Sequence, residues 1–570
     1  MSETSFAHRQ LASWKAWLTD RPFVRSETLI LAVCAYFILI CNGPFWKAAL
    51  EGRSITDLST WWFAGLTAVA LVGVHLSVVA AVAPRALIKM LLLILTLVTA
   101  AATVFMQRYA VVLDPSMLRN VWRTDWPEAS ELLTIQSFLT TLLFALPPSA
   151  FILWVRVKRR RLLRAFVIRG CVIGFSLLTA ALAGITVMQD LAPLLRVQHH
   201  VRYLVTPGNL LYSSGRTLFE RDPQENARVH DRVVRMTNSG SQKPLLIVLV
   251  VGETARSANF SLNGYARNTN PELSKRNVVS FQEVSSCGTA TEVSLPCMFS
   301  PFGRKQYDDE ENQNHDGLLQ VLSHAGFAVL WRDNQSGCKG ACVGDGIRVE
   351  YAGKSRNPSL CSGERCLDEV LLEGLESAFR TTRGDLVIVL HQLGNHGPAY
   401  YKRYPSSYRR FTPTCDTAEL RSCDDAAIVN TYDNAILYTD ALLARVIDLL
   451  EEHSSVVDSA MLYVADHGES LGEGGLYLHG LPYAVAPSYQ TRVPMIFWSS
   501  RGFKQRAALD WACVNERALD PASHDNLFSS VLGLADVSAH TYRRDLDLFA
   551  ACRAGNYPVV TALIGDIHEN

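Results

Sequence analysis

Three short stretches in the second half of the chain carry residue types suited to metal-assisted chemistry. Thr291 lies between two cysteines, Asp466 directly precedes His467, and Glu253 follows an apolar run. One hydroxyl, two carboxylates and one imidazole make a reasonable tetrahedral Zn²⁺ ligand set, and coordination to a metal activates a hydroxyl that is a weak nucleophile alone. These four residues are therefore a candidate zinc site, with Thr291 as a candidate nucleophile.

Each candidate also has a structural interpretation. A carboxylate after a strand, such as Glu253, is often a helix cap, and a threonine at a helix start such as Thr291 is usually an N-cap. Thr289 and Ser294 are equally acceptable nucleophiles on chemical grounds. Two ligand-type side chains at the end of an apolar strand, at 466–467, are costly to place there without a partner. That pair is the strongest part of the metal prediction.

Two histidines and one lysine extend the candidate site. Together, His396 and His479 could hold a second metal or bind a phosphate, and one of them could protonate a leaving oxygen. Lys339 is a candidate phosphate contact. Taken singly, a histidine is more often structural and a lysine is usually solvated.

The elements that must position these residues alternate between strands and helices, which predicts a mainly parallel sheet covered by helices. In such sheets ligands bind beyond the carboxyl ends of the strands. Glu253, Asn334 with Lys339, His396 and residues 466–467 each follow a candidate strand, so we expect them to converge on one edge. The candidate strands are 245–251, 327–332, 385–391, 460–465 and 493–498, and the candidate helices are 315–325, 366–380, 426–452 and 523–534.

The first third of the chain is apolar enough to belong in a membrane. Basic side chains crowd 9–25, 85–89 and 156–164, which places those segments in the cytoplasm, and a topological interpretation is favoured over a nucleic-acid patch. The first apolar run lacks an evident cleavage site and reads as a retained anchor. Five runs approach the roughly 20 residues of a spanning helix, at about 27–47, 61–83, 86–106, 134–156 and 165–188.

Five spans that start inside place everything after about 189 outside the cytoplasm. Ten of the 13 cysteines lie in that exported part, where disulfides are favoured over zinc binding. Their spacing suggests close pairs, although sequence does not prove connectivity. The pairs are Cys287/Cys297, Cys338/Cys342, Cys361/Cys366 and Cys415/Cys423, with Cys513/Cys552 left over.

The predicted organisation has three parts. Residues 1–188 form a five-helix transmembrane domain, and 189–242 form a connector whose first half lies along the membrane surface as an interfacial helix. Residues 243–570 form the α/β catalytic domain, and a Ser/Gly/Pro-containing stretch at 238–244 reads as the hinge before it.

Several separated motifs occur in a characteristic order and cover essentially the whole chain. The motifs are Val251-Gly-Glu-Thr-Ala-Arg256, Cys287-Gly-Thr-Ala-Thr291, Trp331-Arg-Asp-Asn334, Gly394-Asn-His-Gly-Pro398, Asp466-His-Gly-Glu469 and Tyr477-Leu-His-Gly-Leu-Pro-Tyr483. With these motifs the chain resembles the lipid A phosphoethanolamine transferases. This family includes the mobile colistin-resistance enzymes, and its catalytic domain is similar to alkaline phosphatases and sulfatases.

The resemblance implies specific roles. Glu253, Thr291, Asp466 and His467 match the zinc site, and Thr291 matches the residue that accepts phosphoethanolamine. The remaining matches are contacts to substrate or to a second zinc at His396 and His479, and contacts to phosphoethanolamine at Ser336, Lys339, Asn120, Thr124 and Glu128. A helix through the last three would place them on one face. The sulfatase Cys/Ser-x-Pro-x-Arg context is missing around Thr291, which counts against sulfate ester hydrolysis.

These observations together predict an inner-membrane, multi-pass, monomeric enzyme with a periplasmic catalytic domain and no nucleic-acid partner. It would transfer phosphoethanolamine from phosphatidylethanolamine to a phosphate of lipid A through a threonine adduct, and so reduce polymyxin binding. Transfer to a core lipopolysaccharide sugar, a membrane-anchored phosphodiesterase or phosphatase, and a non-catalytic lipid or sugar binder remain alternatives. The acceptor, the number of zinc ions and the domain motion during catalysis stay open.

Overall fold

A computed structural model of the chain divides into two compact units. One comprises Met1–Leu118 with Leu133–Glu220, and the other comprises Arg119–Leu132 with Arg221–Asn570. The predicted boundaries at 188 and 242 stay predictions. The basic residues Arg9 and Lys15, most of the predicted hinge and the connector segments 198, 220–228 and 236–242 lie outside the described residues. The structure describes residues 21–84, 86–109, 111–158, 160–197, 199–219, 229–235, 243–352, 357, 359–362, 365–381 and 384–553.

The first unit is built from apolar helices. Four of them are long and apolar enough to cross a membrane: Leu58–Val82, Ile88–Tyr109, Ile135–Trp154 and Leu162–Met188. The first predicted span is instead a broken helix pair, Ser26–Cys41 with Gly43–Ala49, bent by 62°. Four spans are therefore supported, and the count of five holds if the bent pair is one span.

The bend has an identifiable cause at Asn42. Its buried side-chain amide donates to the carbonyl oxygens of Phe37, at 2.8 Å, and Thr206, at 2.9 Å. Pro44 follows in the first turn of the next helix, where the missing N–H costs nothing. The bounds of the elements in chain order are β1 Phe23–Val24, α1 Ser26–Tyr36, α2 Gly43–Ala49, α3 Leu58–Val82, α4 Ile88–Tyr109, α5 Pro115–Arg123, α6 Trp126–Leu132, α7 Ile135–Trp154, β2 Arg156–Val157, α8 Leu162–Val197 and α9 Gly208–Phe219.

Helices α3 and α8 pack closely through small residues. A Cβ added at Gly73 would lie 2.8 Å from the Ser176 carbonyl oxygen and 2.9 Å from the Ala180 Cβ, so only glycine fits. Ser77 and Ser176 share a hydrogen bond of 2.7 Å beside it. Small residues and interhelical hydrogen bonds are the usual means of holding helices together where no hydrophobic effect operates between them.

The second unit contains an eight-stranded sheet covered by helices. Strands β4, β10 and β11 are buried along their whole length, as expected for strands covered on both faces. Its elements are β3 Val233–Arg235, β4 Leu245–Gly252, β5 Val279–Ser285, α10 Thr291–Met298, α11 Gly303–Gln306, α12 Asp309–Gln313, α13 Leu318–His324, β6 Ala328–Asp333, β7 Ile347–Tyr351, β8 Cys361–Ser362, β9 Arg365–Cys366, α14 Leu375–Thr381, β10 Leu386–His391, α15 Asp425–Glu452, β11 Asp458–Ala465, β12 Ser470–Leu471, β13 Tyr477–Leu478, α16 Ser488–Thr491, β14 Arg492–Ser499, α17 Arg501–Arg506, α18 Trp511–Arg517, β15 Pro521–Ser523, α19 Leu527–Leu534 and β16 Val537–Ala539.

The strand order is β15-β5-β14-β11-β4-β10-β6-β7. All five predicted strands are present, but β14 pairs antiparallel with both β11 and β5, so the sheet is mixed. Three strands of the sheet were not predicted, namely β5, β7 and β15. Strand β5 alternates buried and partly exposed residues with polar side chains, which gives a weaker apolar signal than the buried centre.

All five predicted cysteine pairs form disulfides, including Cys513–Cys552. Cys34, Cys41 and Cys171, in the apolar helices, are free. Because disulfides form and persist in oxidising compartments, these five bonds support an exported second unit.

Loop length predicts how much each disulfide stabilises the fold. Cys513–Cys552 spans 39 residues and Cys415–Cys423 spans 8. Closing these loops restricts the unfolded chain by about 4 and about 2.5 kcal/mol respectively. We expect the double serine variant at 513 and 552 to lower the thermal midpoint of the detergent-solubilised protein more than the double serine variant at 415 and 423. Equal shifts would contradict this ranking.

Candidate functional site

Two adjacent strands bring the two predicted carboxylate ligands together. Strands β4 and β11 are parallel, with Gly252 opposite Ala465 in the register. Glu253 and Asp466 are the next residues in their strands' directions, and the Asp466 N–H donates to the Gly252 carbonyl oxygen at 2.9 Å. A Cβ on Gly394 would lie 2.6 Å from the Glu253 carbonyl oxygen, so a glycine is required for this close approach. The sheet edge thus fixes both carboxylates side by side.

Thr291 and His467 complete the cluster. The Thr291 hydroxyl is 3.2 Å from each carboxylate oxygen of Glu253 and 3.3 Å from the His467 Nε2. The His467 Nε2 is in turn 3.3 Å from the Asp466 Oδ2. Ligands about 2.0–2.1 Å from a tetrahedral zinc are separated by about 3.3 Å, so these spacings match the edges of a zinc coordination sphere.

The surroundings of the cluster also fit a metal. Glu253, Asp466 and His467 are fully buried, and their ligand atoms lie within 4.8 Å of one another. The Asp466 Oδ2 is buried and has no hydrogen-bond partner among the described residues. The His467 Nδ1 lies 2.9 Å from the Gly468 carbonyl oxygen, which turns Nε2 toward the cluster. The donor set is the one that the sequence predicted for zinc.

The pKa values of the two carboxyl groups also fit a metal site. Burial raises the pKa of Glu253, but the charges of His467 and His396 and the hydrogen bond from Thr254 together outweigh it and lower that pKa to about 2. Burial and the Glu253 charge together raise the pKa of Asp466 to about 6. A dication favours the deprotonated form of every ligand, so it would relieve the repulsion between the two carboxylates.

The local geometry separates Thr291 from the two alternative nucleophiles. The Thr289 hydroxyl donates to the Leu481 carbonyl oxygen at 2.6 Å, and the Ser294 hydroxyl donates to that of Asp466. Thr291 is the first residue of α10, and the N-cap before it is Ala290, so Thr291 is not the N-cap. Of the three hydroxyls, only that of Thr291 contacts the carboxylate of Glu253 in the described structure.

His396 and His479 lie beside this cluster. The rings of His467 and His479 are 4.3 Å apart, and those of His396 and His479 are 5.6 Å apart. Glu469, which was not predicted, places its Oε1 3.4 Å from the His479 Nδ1. Burial raises the pKa of Glu469 to about 8. Its position in the Asp466–Glu469 motif was visible in the sequence, but its inward direction was not.

In the predicted segment 120–128, Glu128 contacts another predicted site residue. The Glu128 Oε1 is 3.1 Å from the His396 Nε2. Helix α5 ends at Arg123 and α6 begins at Trp126, so Thr124 falls in the break and a single helical face is wrong. The Thr124 hydroxyl donates to the Asn120 carbonyl oxygen at 2.6 Å. The spacing alone did not reveal this break.

The Glu128–His396 pair predicts a pH dependence. Burial raises the pKa of Glu128, but the charge and hydrogen bond of His396, with the charges of Lys339 and Arg365, together lower it to about 2. Burial lowers the pKa of His396, but the charge and hydrogen bond of Glu128, with the charge of Glu253, together raise it to about 9. Ionised Glu128 therefore stabilises the folded protein fully above about pH 4.5, and this stabilisation is lost as the pH falls toward 2. Protonated His396 stabilises the folded protein fully below about pH 6.5, and this stabilisation is lost as the pH rises through 9.

Replacing Glu128 with glutamine removes the charge that raises the pKa of His396. We therefore expect the alkaline loss of activity in Glu128→Gln to begin roughly one pH unit lower or more. A pH profile of kcat/KM from pH 6 to 10 measures this, with Glu272→Gln at a distant surface pair as the control. An unchanged alkaline limb in Glu128→Gln would contradict the assignment.

Ser336 and Lys339 lie in the loop after β6. The Lys339 Nζ donates to the Ser336 hydroxyl at 2.8 Å, and the Lys339 charge lowers the pKa of Glu128. Asn334 instead donates to the Asp368 carboxylate at 2.8 Å. The strand-end residues therefore group as predicted at one edge, although Asn334 has a structural partner.

Comparison with known proteins identifies the family. The Phosphoethanolamine transferase EptA/EptB profile matches residues 71–221, and the Sulfatase profile matches residues 246–537. Phosphoethanolamine transferase EptA of Escherichia coli strain K12 is 39% identical over 535 residues, which are 92% of this chain and 96% of that protein. The chain belongs to the phosphoethanolamine transferase family.

Other members agree with this placement. Phosphatidylethanolamine transferase Mcr-1 of Escherichia coli is 34% identical to this phosphoethanolamine transferase over 95% of this chain and 98% of its own. The structure of the integral membrane lipooligosaccharide phosphoethanolamine transferase A of Neisseria meningitidis superposes with a TM-score of 0.87 at 37% identity, covering 94% of this chain and 100% of that chain. The match extends through both units.

The transferase also has two long-range charge pairs that sequence reasoning missed. Arg403 pairs with Glu131, and both side chains are almost fully buried. Arg123 pairs with Glu292 at 2.6 Å. Both pairs join residues 119–132 to the rest of the second unit. No local pattern marks such partners, because they are more than 160 residues apart in the chain.

A second group of metal-ligand types lies outside this site. Asp316 is buried and accepts from the Asp231 N–H at 3.0 Å, with the Nδ1 atoms of His230 at 3.3 Å and His324 at 3.2 Å. Both histidines are exposed. This triad fixes residues 230–231 against α13.

Proposed function

We propose that this chain transfers phosphoethanolamine from phosphatidylethanolamine to a phosphate of lipid A through a covalent adduct on Thr291. The observation that carries the proposal is the Thr291 hydroxyl, held 3.2 Å from both oxygens of Glu253 and 3.3 Å from the His467 Nε2. A zinc ion bound by Glu253, Thr291, Asp466 and His467 would favour the alkoxide and stabilise charge on the phosphate oxygens.

The residues of the chain supply both half-reactions. In the first, the Thr291 oxygen forms a bond to the donor phosphorus, and the bond from phosphorus to the diacylglycerol oxygen breaks. The leaving oxygen takes a proton, for which His396 and His479 are the nearest candidate donors. In the second, an acceptor phosphate oxygen attacks the same phosphorus, and Thr291 is released and recovers a proton.

Three side chains are placed to bind the transferred group. Glu128 would pair with the donor ammonium group, since it is a buried carboxylate beside the cluster. Lys339 and Ser336 would contact the phosphate, since the lysine charge acts on Glu128 from the adjacent loop. These roles rest on the arrangement of the side chains and on the family resemblance.

The relatives support the proposed acceptor and location. A further relative, Kdo(2)-lipid A phosphoethanolamine 7''-transferase of Escherichia coli, is 27% identical over 90% of this chain, so a core sugar is the alternative acceptor. Both substrates are lipids, which explains a catalytic unit attached to apolar spans.

We place the chain in the bacterial inner membrane as a monomer, with its catalytic unit in the periplasm. The product masks an anionic phosphate with an amine and lowers polymyxin binding.

Mass spectrometry of lipid A tests this function. The chain is expressed in a Gram-negative host that lacks its own transferase, and lipid A is compared with that of the empty-vector host. We expect a phosphoethanolamine mass on lipid A and a higher polymyxin inhibitory concentration. Modification confined to core sugars would show that a core sugar is the acceptor in place of the lipid A phosphate. Release of free phosphoethanolamine without transfer would favour a phosphodiesterase.

A further inference from the structure

An open pocket of about 760 Å³ lies in the second unit beside the Glu128–His396 pair. Three cationic side chains and one carboxylate are among its lining residues: Arg365, Lys402, Arg403 and Glu131. Trp126, whose side chain is 70% exposed, forms part of an apolar wall. The pocket therefore combines net positive charge with a ring face.

Arg365 is the informative residue of this pocket. Its side chain is 18% exposed, and its Nε and Nη2 atoms are buried without a hydrogen-bond partner among the described residues. The nearest carboxylate oxygen, Asp125 Oδ1, is 3.7 Å from Nη2, which is too long for a hydrogen bond. Buried donors without partners are rare in folded proteins, so this guanidinium group needs an explanation.

The neighbouring carboxylates among the described residues do not supply the missing hydrogen bonds to Arg365, because each has another partner. Glu128 pairs with His396 at 3.1 Å, and Glu131 pairs with Arg403. The Asp125 Oδ1 accepts from the Glu128 backbone N–H at 2.9 Å and caps α6. The described residues therefore supply no hydrogen-bond partner for Nε and Nη2 of Arg365.

The backbone around Arg365 is held in place. Arg365 begins β9, which pairs antiparallel with β8, and Cys361 opposite Cys366 closes this hairpin with a disulfide. Arg403, on the other side, donates through Nε to the His396 carbonyl oxygen at 2.6 Å. The pocket wall thus continues into the backbone of the candidate active site.

We propose that Arg365 and Lys402 bind an anionic group of the glycolipid acceptor, a phosphate or a carboxylate other than the phosphate that reacts at Thr291. The reacting phosphate must reach Thr291, whereas Arg365 interacts with Glu128 and Asp125, which are not among the proposed zinc ligands. Guanidinium groups bind phosphate and carboxylate through two parallel hydrogen bonds, and the Trp126 ring offers a face to a sugar. This inference rests on the proposed function for the identity of the acceptor.

Binding to a protein that cannot turn over tests the inference directly. The full chain carrying Thr291→Ala is titrated with detergent micelles containing lipid A, and separately with micelles containing phosphatidylethanolamine. Adding Arg365→Gln should weaken lipid A binding roughly tenfold or more and leave phosphatidylethanolamine binding unchanged, since one charge-assisted contact is lost. Arg365→Lys should recover part of the loss, because it keeps the charge.

The matched control is Arg501→Gln, which removes an exposed arginine at the start of α17, where β14 ends. Equal thermal midpoints for all variants exclude misfolding as the cause of weaker binding. Unchanged lipid A binding in Arg365→Gln overturns the inference, and so does an equal loss for phosphatidylethanolamine, which would assign the pocket to the donor phosphate. Failure of the proposed function would show separately, as unmodified lipid A in cells expressing the native chain.

Discussion

Thr291→Ala is expected to abolish transfer, with a loss of roughly 10³-fold or more in kcat, because the substitution removes the oxygen that we propose forms the covalent bond. The Thr291 hydroxyl lies 3.2 Å from the Glu253 carboxylate, and the residue is buried. Incubating the native protein with phosphatidylethanolamine alone should add one phosphoethanolamine to the mass of the peptide containing Thr291. The alanine variant should show no addition.

The matched control is Thr289→Ala, two residues away and of the same chemistry. The Thr289 hydroxyl donates to the Leu481 carbonyl oxygen, so its loss removes one hydrogen bond and leaves the cluster intact. We expect transfer within a few-fold of native, consistent with about 1 kcal/mol for a neutral hydrogen bond. Full activity in Thr291→Ala, or an adduct found on Ser294, would eliminate Thr291 as the nucleophile.

The second large effect is expected from His467→Gln. This substitution removes the nitrogen that lies 3.3 Å from both Thr291 and Asp466, while the two carboxylates remain. We expect the bound zinc to fall from about one ion per chain to a small fraction, and transfer to fall roughly 10³-fold, because a tetrahedral site loses a ligand. Elemental analysis after dialysis measures the metal independently of activity.

His453→Gln is the control for this substitution. His453 follows α15, and its Nε2 lies 3.2 Å from the Glu376 carboxylate, away from the metal ligands. Metal content and transfer should match the native protein. A native chain that purifies without zinc and transfers at full rate in a chelator would refute the metal assignment, and retention of zinc in His467→Gln would remove this histidine from the ligand set.

Residue types and spacing predicted much of the catalytic unit. The buried strands β4, β10 and β11 were located to within two residues because their apolar, β-branched runs are continuous. Residues after these strands met at one edge because parallel strands end together. The direction of β14 was not predictable, since composition carries no information on whether a strand runs parallel or antiparallel.

Long-range contacts explain the remaining differences. The break between α5 and α6 depends on Asp125, which caps α6, and a spacing argument that assumes one helix does not detect it. The burial of Glu131 against Arg403 requires knowledge of which distant segment packs beside it. The first apolar run was recognised, but its 62° bend depends on a hydrogen bond from Asn42 to Thr206, 164 residues away.

The place of residues 119–132 in the second unit bears on how inhibitors should be sought. A fragment that begins at the predicted hinge keeps the proposed zinc ligands but lacks Glu131 and Glu128. Buried Arg403 then loses its carboxylate partner, and His396 loses its carboxylate partner as well. Compounds selected against such a fragment would meet a reshaped cavity with different charges. Screening campaigns and structure-guided chemistry therefore call for the intact polypeptide, since the catalytic body is assembled from two separate stretches of the gene product.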